Sequence, residues 1–416
     1  MMPLDADRLA EFRAFNSDDY CKLYPDIAKA IGEKKVKDPW EHYDRRGRAE
    51  GRVPLYLDEV FYRRSYPLAV QEIAAGLAGS AVDHFIRFGR ARGYLPNPKA
   101  ERPANGAVSA SPFGGLWIDD ADAYDRIRGR LESGQITAAQ AERLEFFTRN
   151  GYVILSQAID ESLIEGARAV IDRAFAGDYK TMKFECHPVS LQPAFWHPDM
   201  QVHPAKALDI HHFSLAIRRL MFAPAIADFL GLIFENKVMA SQTLGFLRGS
   251  AQDSHQDSAY VVFSLPRKFA ASWVALEDVT VGAGELFYYP GSHRLPDFIY
   301  GGRFKSVSEA RRGGGSRDAV HAEARRHVQS LEPQAERFGL TKQVFAAKKG
   351  DVLIWHSDLI HGGNPVSREI TRKSLVTHYC PKHVSPLFNE QHRAAWYEHD
   401  GHVHTTSHYP GLEPSD

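Results

Sequence analysis

Short runs of aromatic and β-branched residues recur along the second half of the chain, separated by Gly, Pro and Asp. Such runs are typical of antiparallel strands joined by turns. We predict strands over residues 238–248, 259–263, 271–278, 284–289 and 350–356. Together they indicate a double-stranded β-helix, or jelly roll, and the mouth of such a barrel can hold a metal- or ligand-binding site.

Apolar residues at helical spacing precede these strands. Residues 119–150 are predicted to be largely helical with a break at Gly134, and Asp160 and Pro224 are expected to begin two further helices. The apolar face of the helix after Asp160 consists of Leu163, Ala167, Val170, Ile171 and Ala174. The predicted fold class is therefore α+β, with a jelly-roll core and flanking helices.

The first hundred residues contain an internal repeat with an offset of 42 residues and no gaps. A period of this size is typical of stacked supersecondary units. The matched pairs include Tyr20 and Tyr62, Tyr24 and Tyr66, His42 and His84, and Gly47 and Gly89. We expect two short helices in each unit, with the matched glycines at helix ends and the aromatic residues in a shared core. A metal site made by the paired histidines is the less favoured interpretation.

The chain is accordingly divided into a helical tandem-repeat module (1–100), a linker (101–115) and a jelly-roll domain (116–416). Residues 102–112 are small, polar and aperiodic, as linkers are. The repeat resembles short modules often attached to bacterial surface-glycan enzymes and secreted proteins. That resemblance implies a docking role for residues 1–100, toward a protein or glycan partner.

Composition excludes several classes of protein. A net charge of −1 gives no basic field for nucleic acid, and apolar and charged shares of 44% and 25% are ordinary for a soluble globular protein. No apolar stretch of eighteen residues predicts a membrane span, and the N-terminus has no apolar signal region. Cys21, Cys186 and Cys380 lie far apart, which favours reduced thiols. We expect a cytoplasmic protein.

Two separated fragments carry candidate metal ligands. His255 and Asp257 are two residues apart, so they would point the same way from a strand, and His361 follows 104 residues after Asp257. Two imidazoles and one carboxylate form the ligand set of non-haem Fe(II) oxygenases, which leaves open metal positions. His356 competes with His361 as the second histidine, but it follows a buried strand pattern and is interpreted as a core residue.

Several linked motifs resemble the phytanoyl-CoA dioxygenase family of Fe(II)/2-oxoglutarate oxygenases, over a little more than half of the chain. The matching fragments are His255-Gln256-Asp257, residues 273–278, residues 290–294, Gly350-Asp351-Val352, His361-Gly362-Gly363-Asn364 and Arg372. The resemblance implies a jelly roll buttressed by helices. It also implies oxidation of a small-molecule substrate by dioxygen, with 2-oxoglutarate converted to succinate and CO2.

The resemblance also assigns roles to single residues. It makes His255, Asp257 and His361 the iron ligands, and Arg372 the cation that binds the distal carboxylate of 2-oxoglutarate. Gln256, Trp273 and Gln242 would line the cosubstrate pocket, and Lys183 is a candidate for the proximal carboxylate. Arg368 remains an alternative to Arg372, and exposed cations or a turn histidine are the plain structural alternatives.

Hydroxylation of an unactivated C–H bond is the expected reaction, because halogenating relatives replace the acid found here at Asp257 with Ala or Gly. Desaturation, ring closure or epimerisation by the same iron chemistry, and an inactive metal-binding protein, remain alternatives. Five histidines over residues 186–212 fit no standard zinc spacing and are expected in a loop over the barrel mouth. The insertion between Phe304 and Phe345 is expected to be solvated, with a lid as the alternative.

Overall fold

The computed structural model divides the chain into two compact units, Met1–Ser109 and Ala110–Asp416. The structure describes residues 15, 17–65, 67–89, 96, 111–387, 396–409 and 412–415. Tyr66 of the repeat and linker residues 101–110 lie outside this described part of the chain.

The first unit is helical. Its described helices are α1 (Ser17–Leu23), α2 (Pro25–Gly32), α3 (Pro39–His42), α4 (Glu59–Ser65), α5 (Pro67–Ala74) and α6 (Ala81–His84). Single π-turns, Tyr43–Gly47 and Phe85–Gly89, continue α3 and α6. Each element of the first repeat therefore recurs 42 residues later. Each repeat has three helices where the sequence pattern predicts two, because Pro25 and Pro67 each begin a separate helix.

The same contact is built at the centre of each repeat. Tyr20 Oη lies 3.1 Å from His42 Nδ1, and Tyr62 Oη lies 2.8 Å from His84 Nδ1. A Cβ atom at Gly47 would collide with the Tyr20 hydroxyl, and one at Gly89 with the Tyr62 hydroxyl. The repeated glycines therefore allow a buried tyrosine to approach the backbone of the π-turn, which is a different role from the predicted helix cap.

The second unit begins with helices that cover one side of a sheet. They are α7 (Ala123–Glu132), α8 (Ala138–Asn150), α9 (Glu161–Ala176), α10 (Leu215–Met221) and α11 (Pro224–Phe234). The predicted break near Gly134, the start of α9 after Asp160 and the start of α11 at Pro224 are confirmed. Buried residues such as Leu144, Ile171 and Phe229 pack with sheet residues including Val274 and Ile354. This contact forms the main core.

The described strands of the second unit form two sheets. They are β1 (Tyr152–Leu155), β2 (Lys183–Cys186), β3 (Ser190–Phe195), β4 (Lys206–Leu208), β5 (Val238–Phe246), β6 (Ala270–Ala275), β7 (Leu286–Tyr288), β8 (Gln343–Val344), β9 (Val352–His356), β10 (His361–Gly363), β11 (Ser374–Pro381), β12 (Trp396–His399) and β13 (His402–Thr405). The larger sheet has the order β1-β9-β6-β11-β5-β4-β2-β3, with β13 pairing to β5 and β12. The smaller sheet has the order β10-β7-β8.

Side chains of the two sheets pack together in the barrel interior. Leu286 and Tyr288 of the smaller sheet join Trp273, Leu353 and Val376 of the larger sheet in one buried cluster. The central strands β5, β6, β9 and β11 are buried almost throughout, because helices cover one face and the barrel interior the other. The predicted α+β class with a jelly-roll core is confirmed.

Three local expectations differ from the structure. Residues 259–263 form turns and bends instead of a strand. The insertion after Phe304 folds into α12 (Val307–Arg312) and α13 (Arg317–Arg337), so the expectation of a solvated segment is wrong. Helix α13 buries Val320, Leu331 and Ala335. Residues 111–115 belong to the second unit, where Gly114 O accepts a 2.9 Å hydrogen bond from Arg267.

Candidate metal centre and its cavity

The backbone brings the two motif fragments side by side. His255 and His361 form an isolated antiparallel bridge, with N–O distances of 2.9 and 3.0 Å in the two directions. His361 begins β10, and Asp257 begins a short 3-10 turn directly after the bridge. The imidazole rings of His255 and His361 are 4.2 Å apart between centres. Ligand atoms of His255, Asp257 and His361 all lie within 4.8 Å of one another, a spacing that could hold one metal ion.

Hydrogen bonds to the backbone orient both histidines. The Nδ1–H of His255 donates to Asp253 O, and that of His361 donates to Leu359 O, each at 2.9 Å. The Nε2 atoms are therefore left as lone-pair donors, which is the arrangement that metal-ligating histidines usually have. Asp257 Oδ1 lies 3.7 Å from each Nε2 atom. Two nitrogen atoms and one oxygen atom thus converge on one point.

The second carboxylate oxygen of Asp257 faces away from that point. The indole N–H of Trp355, on β9, donates to Asp257 Oδ2 at 2.8 Å. His378 Nε2, on β11, lies 3.4 Å from the same oxygen. Both side chains are buried, so water does not compete for the carboxylate on this side.

Electrostatics favour the protonation states that a metal requires. Burial, with the neighbouring His361, lowers the pKa of His255 to about 3, so its ring is neutral at pH 7. Burial opposes ionisation of Asp257, but His361 and His378 outweigh it and hold the pKa of this carboxyl below its usual value. Neutral imidazoles and an ionised carboxylate are the forms that bind a divalent cation.

The three residues line a cavity of about 220 Å³. Its walls come from both sheets and from turns between them. The residues that line it include Glu185, Lys206, Gln242, Leu244, Phe246, Gln252, Tyr260, Trp273, Leu286, Trp355, Arg372, Val376, His378 and His408. The side-chain amide nitrogen of Gln252 lies 3.2 Å from His255 Nε2. Gln252 therefore contacts the atom that a metal would bind and must turn aside when one does.

Arg372 lies at one end of this cavity and is 2% exposed. One of its terminal nitrogens, Nη1, donates to Gly284 O, while its Nε has no hydrogen-bond partner among the described residues. Burial lowers the pKa of Arg372 to about 10, and nearby Glu285 opposes this effect. A buried guanidinium with an unused N–H suits a carboxylate ligand.

Between Arg372 and the metal ligands the cavity walls are apolar. Val376 on β11 is paired with Trp273 on β6 and with Leu244 on β5, which forms one row of neighbouring side chains. Phe246 and Leu286 complete this part of the lining. The next row pairs His378 with Gln242 and is polar. Short methylene chains fit the first row, and polar groups fit the second.

Another part of the lining is charged and polar. Lys206 on β4 and Glu185 on β2 form a 3.0 Å ion pair between neighbouring strands. His408 follows β13, and its Nδ1–H donates at 3.0 Å to Asp209, a fully buried carboxylate. Asp209 also accepts from Thr406 Oγ1 and from the backbone N–H groups of 407 and 408. The chain after β13 is thereby fixed against the cavity.

Two predicted pocket residues lie elsewhere. Gln256 donates to Asp358 O and faces His327, because the residue between two ligands points away from them. Lys183 is directed at His408 O, 3.4 Å away, and toward the Tyr409 ring; it does not line the cavity. Neither placement matches the predicted contact with cosubstrate. Trp273, Gln242 and Arg372 do line the cavity, whereas Arg368 is exposed.

The other candidate histidines lie outside the metal centre. His356 Nε2 lies 3.0 Å from Asp119 Oδ2, so its interpretation as a core residue agrees with the structure. His187, His197 and His203 are exposed, while His211 and His212 are buried. In the described part of the chain these five side chains form no metal-binding group. They are not gathered in one loop over the cavity.

Several residues of the cavity wall belong to none of the sequence motifs that predicted the site. Trp355, His378, Lys206, Glu185 and His408 are brought together only by strand pairing and by the turn after β13. His378 has a weak sequence signal, since it lies two residues from Val376 and four from Ser374 on the same face of a strand.

Among the described residues, no helix is long and apolar enough to span a membrane. The fold and the cavity together define a jelly-roll protein with a His/Asp/His set that fits a divalent metal at its mouth. Nitrogen and carboxylate donors on one side of the metal position suit Fe(II) with exchangeable positions on the other. Residues 147–374 match the family model Phytanoyl-CoA dioxygenase (PhyH), and the chain belongs to this family.

Curated relatives agree with the family match. Peroxisomal phytanoyl-CoA dioxygenase of Homo sapiens is 21% identical over 287 residues, covering 67% of this chain and 78% of the relative. The Mus musculus protein is 22% identical over 288 residues, with the same coverage of 67% and 78%.

Two solved structures are similar to part of this chain. The epimerase SnoN, in complex with Fe3+, alpha ketoglutarate and nogalamycin RO, has a TM-score of 0.47 and 18% identity, covering 64% of this chain and 98% of that one. EctD from S. alaskensis, with 2-oxoglutarate and 5-hydroxyectoine, has a TM-score of 0.40 and 20% identity, covering 59% and 76%.

Proposed function

We propose that this protein is an Fe(II)- and 2-oxoglutarate-dependent dioxygenase that hydroxylates an unactivated C–H bond of a small or medium organic substrate. The observation that carries the proposal is the convergence of His255 Nε2, His361 Nε2 and Asp257 Oδ1 beside a buried, incompletely bonded Arg372. Fe(II) with a bound 2-oxo acid supplies activation of dioxygen when it is present.

The protein's own residues would bind and orient the reactants. His255, Asp257 and His361 would hold the metal from one side. Arg372 would bind the distal carboxylate of 2-oxoglutarate, and the row of Leu244, Trp273 and Val376 would enclose its methylene groups. The 2-oxo acid and dioxygen would use the metal positions that these ligands leave open.

The substrate would contact the charged and polar part of the cavity wall. Lys206, Glu185 and His408 line this part, so a substrate with polar groups suits it better than a purely apolar one. Asp209 holds the Nδ1–H of His408, so the other ring nitrogen is left for a ligand; in the neutral ring it accepts a hydrogen bond. A hydroxyl or amino group is a suitable donor.

Anaerobic addition of Fe(II) and 2-oxoglutarate to the metal-free protein tests the proposal. A weak visible metal-to-ligand charge-transfer band is expected for the wild type, and no band for His255→Ala. His203→Ala, at an exposed histidine, is the matched control and should keep the band. Absence of the band at saturating ligand in the wild type would refute the assignment.

Product analysis then decides the outcome of the oxidation. With a substrate found by screening for succinate release, hydroxylation adds one oxygen atom, and desaturation or ring closure removes two hydrogens. Epimerisation leaves the mass unchanged. A protein that forms the charge-transfer band but never releases succinate would instead be an inactive metal-binding protein.

A further inference from the structure

We propose that Trp355 and His378 are positioning residues that hold the second oxygen of Asp257 away from the metal. The proposal rests on the function proposed above, in which Asp257 is an iron ligand. It concerns two side chains outside the His-x-Asp and His-Gly-Gly motifs.

The geometry separates the two oxygens of Asp257. Oδ1 is 3.7 Å from both histidine Nε2 atoms, whereas Oδ2 accepts the Trp355 indole N–H at 2.8 Å. His378 Nε2 approaches Oδ2 to 3.4 Å from β11, while Trp355 approaches from β9. The Trp355 indole and the His378 ring therefore approach one oxygen from different strands of the larger sheet.

His378 has little else to bond with. It is 3% exposed, and neither of its ring nitrogens has a hydrogen-bond partner among the described residues. Leaving a buried imidazole unpaired costs free energy, so a role at the cavity is the physical reason to keep one there. The carboxylate of Asp257 is the nearby acceptor toward which it can turn.

Trp355 is fixed by the fold before any metal binds. Its strand pairs with β1 at Tyr152 and with β6 at Ala271, and its side chain is 2% exposed. Its ring centre is 5.0 Å from that of His361, so one side chain contacts two of the three ligands. A rigid indole gives the N–H a direction that a mobile side chain would not.

The consequence concerns the number of open metal positions. An unrestrained carboxylate can bind a metal through both oxygens, and the second oxygen would then take a position needed by 2-oxoglutarate or dioxygen. The hydrogen bond from Trp355, and the one that His378 can donate once its ring turns, make Oδ2 a poorer ligand and oppose the rotation that would bring it to the metal. Trp355 and His378 thus keep Asp257 bound through Oδ1 alone.

Co(II) replaces Fe(II) as the test probe, because its visible absorption reports coordination geometry without turnover. Trp355→Phe retains the ring and loses the N–H, and His378→Leu removes the second donor. Each variant is expected to change the Co(II) spectrum and to weaken Co(II) binding about tenfold. His378→Gln, which keeps an N–H donor, should restore most of the wild-type spectrum.

Trp196→Phe is the matched control. Its indole N–H also donates a 2.8 Å hydrogen bond, to Phe175 O, and Trp196 does not line the cavity. This variant should bind Co(II) like the wild type, and circular dichroism checks that every variant is folded. Wild-type spectra and affinities for folded Trp355→Phe and His378→Leu would overturn the proposal. Because Co(II) binding needs no 2-oxoglutarate, this result is separable from a failure of the dioxygenase assignment.

Discussion

The guanidinium carbon of Arg372 lies 5.5 Å from the centre of the Trp273 ring, and both side chains are almost fully buried. A permanent cation in such surroundings is costly unless an anion joins it. Glu285 lies near enough to offset part of that cost, yet Nε of Arg372 is still without a partner among the described residues. The pair therefore predicts an anionic ligand at this end of the cavity.

Replacing Arg372 should weaken 2-oxoglutarate binding selectively. Arg372→Leu is expected to raise the Kd for 2-oxoglutarate at least tenfold, because a charge-assisted hydrogen bond contributes about 1.5–3 kcal/mol. Titration of the charge-transfer band measures this Kd. Arg368→Leu and Lys183→Ala should leave this Kd unchanged. An equal rise in the Arg368→Leu variant would contradict the assignment of Arg372 as the residue that binds the distal carboxylate.

The polar part of the cavity should act on the substrate and not on the cosubstrate. His408→Ala is expected to raise the KM of a substrate that carries a hydroxyl or amino group about tenfold, through loss of one hydrogen bond. The Kd of 2-oxoglutarate should stay the same. Steady-state kinetics and the band titration measure the two quantities, and a change confined to 2-oxoglutarate would contradict the placement of His408.

Acid should destabilise the metal-free protein through buried histidines. Burial lowers the pKa of His212 and His327 to about 4 and that of His404 to about 3, against about 6.5 in the unfolded chain. The unfolded state therefore binds more protons between these values. The free energy of unfolding is therefore highest above pH 6.5, where these histidines are neutral in both states, and it decreases as the pH falls toward 4.

Urea unfolding at pH 7.5, 6.5 and 5.5 measures this dependence. Each titrating histidine contributes up to about 1.4 kcal/mol per pH unit to the slope of the unfolding free energy. His404→Leu should flatten the slope, whereas His203→Leu, at an exposed position, should not. A stability that does not change with pH would show that these rings are not held neutral.

Substitution of the repeated glycines should destabilise the helical repeats. Gly47→Ala places a Cβ against the Tyr20 hydroxyl and is expected to destabilise residues 17–50 by about 1–3 kcal/mol. Gly32→Ala, where a Cβ meets nothing within 4 Å, is the control. Hydrogen exchange of peptides from the full chain reports the effect locally. Equal protection in both variants would contradict the proposed close approach of Tyr20.

The sequence is most informative where a few residues at fixed spacing determine the chemistry. His255, Asp257 and His361 are predicted from such motifs, and the structure brings them together. Gln256 is misplaced by the same motif, because alternation that directs two ligands inward directs the residue between them outward. The place of Gln256 in the family motif does not by itself reveal that its side chain points away from the cavity.

Contacts made by distant strands are harder to predict. Strand β11 is buried on both faces, so its residues show no alternation of polar and apolar positions, and His378 is hidden in it. Trp355 is recognisable as a buried residue, but its bond to Asp257 depends on the register of β9 in the sheet. The docking role of residues 1–100 stays a prediction.

The residues after β13 lie beyond the range that the family model matches, yet His408 forms part of the cavity wall. The proposed iron ligands and Arg372, by contrast, all lie within the matched range. In the proposed function, one stretch of chain carries the groups for oxidation, and a different stretch contributes to the choice of molecule that is oxidised. On that proposal, changes in the stretch after β13 would redirect the enzyme to another substrate during evolution while the oxidising machinery stays intact.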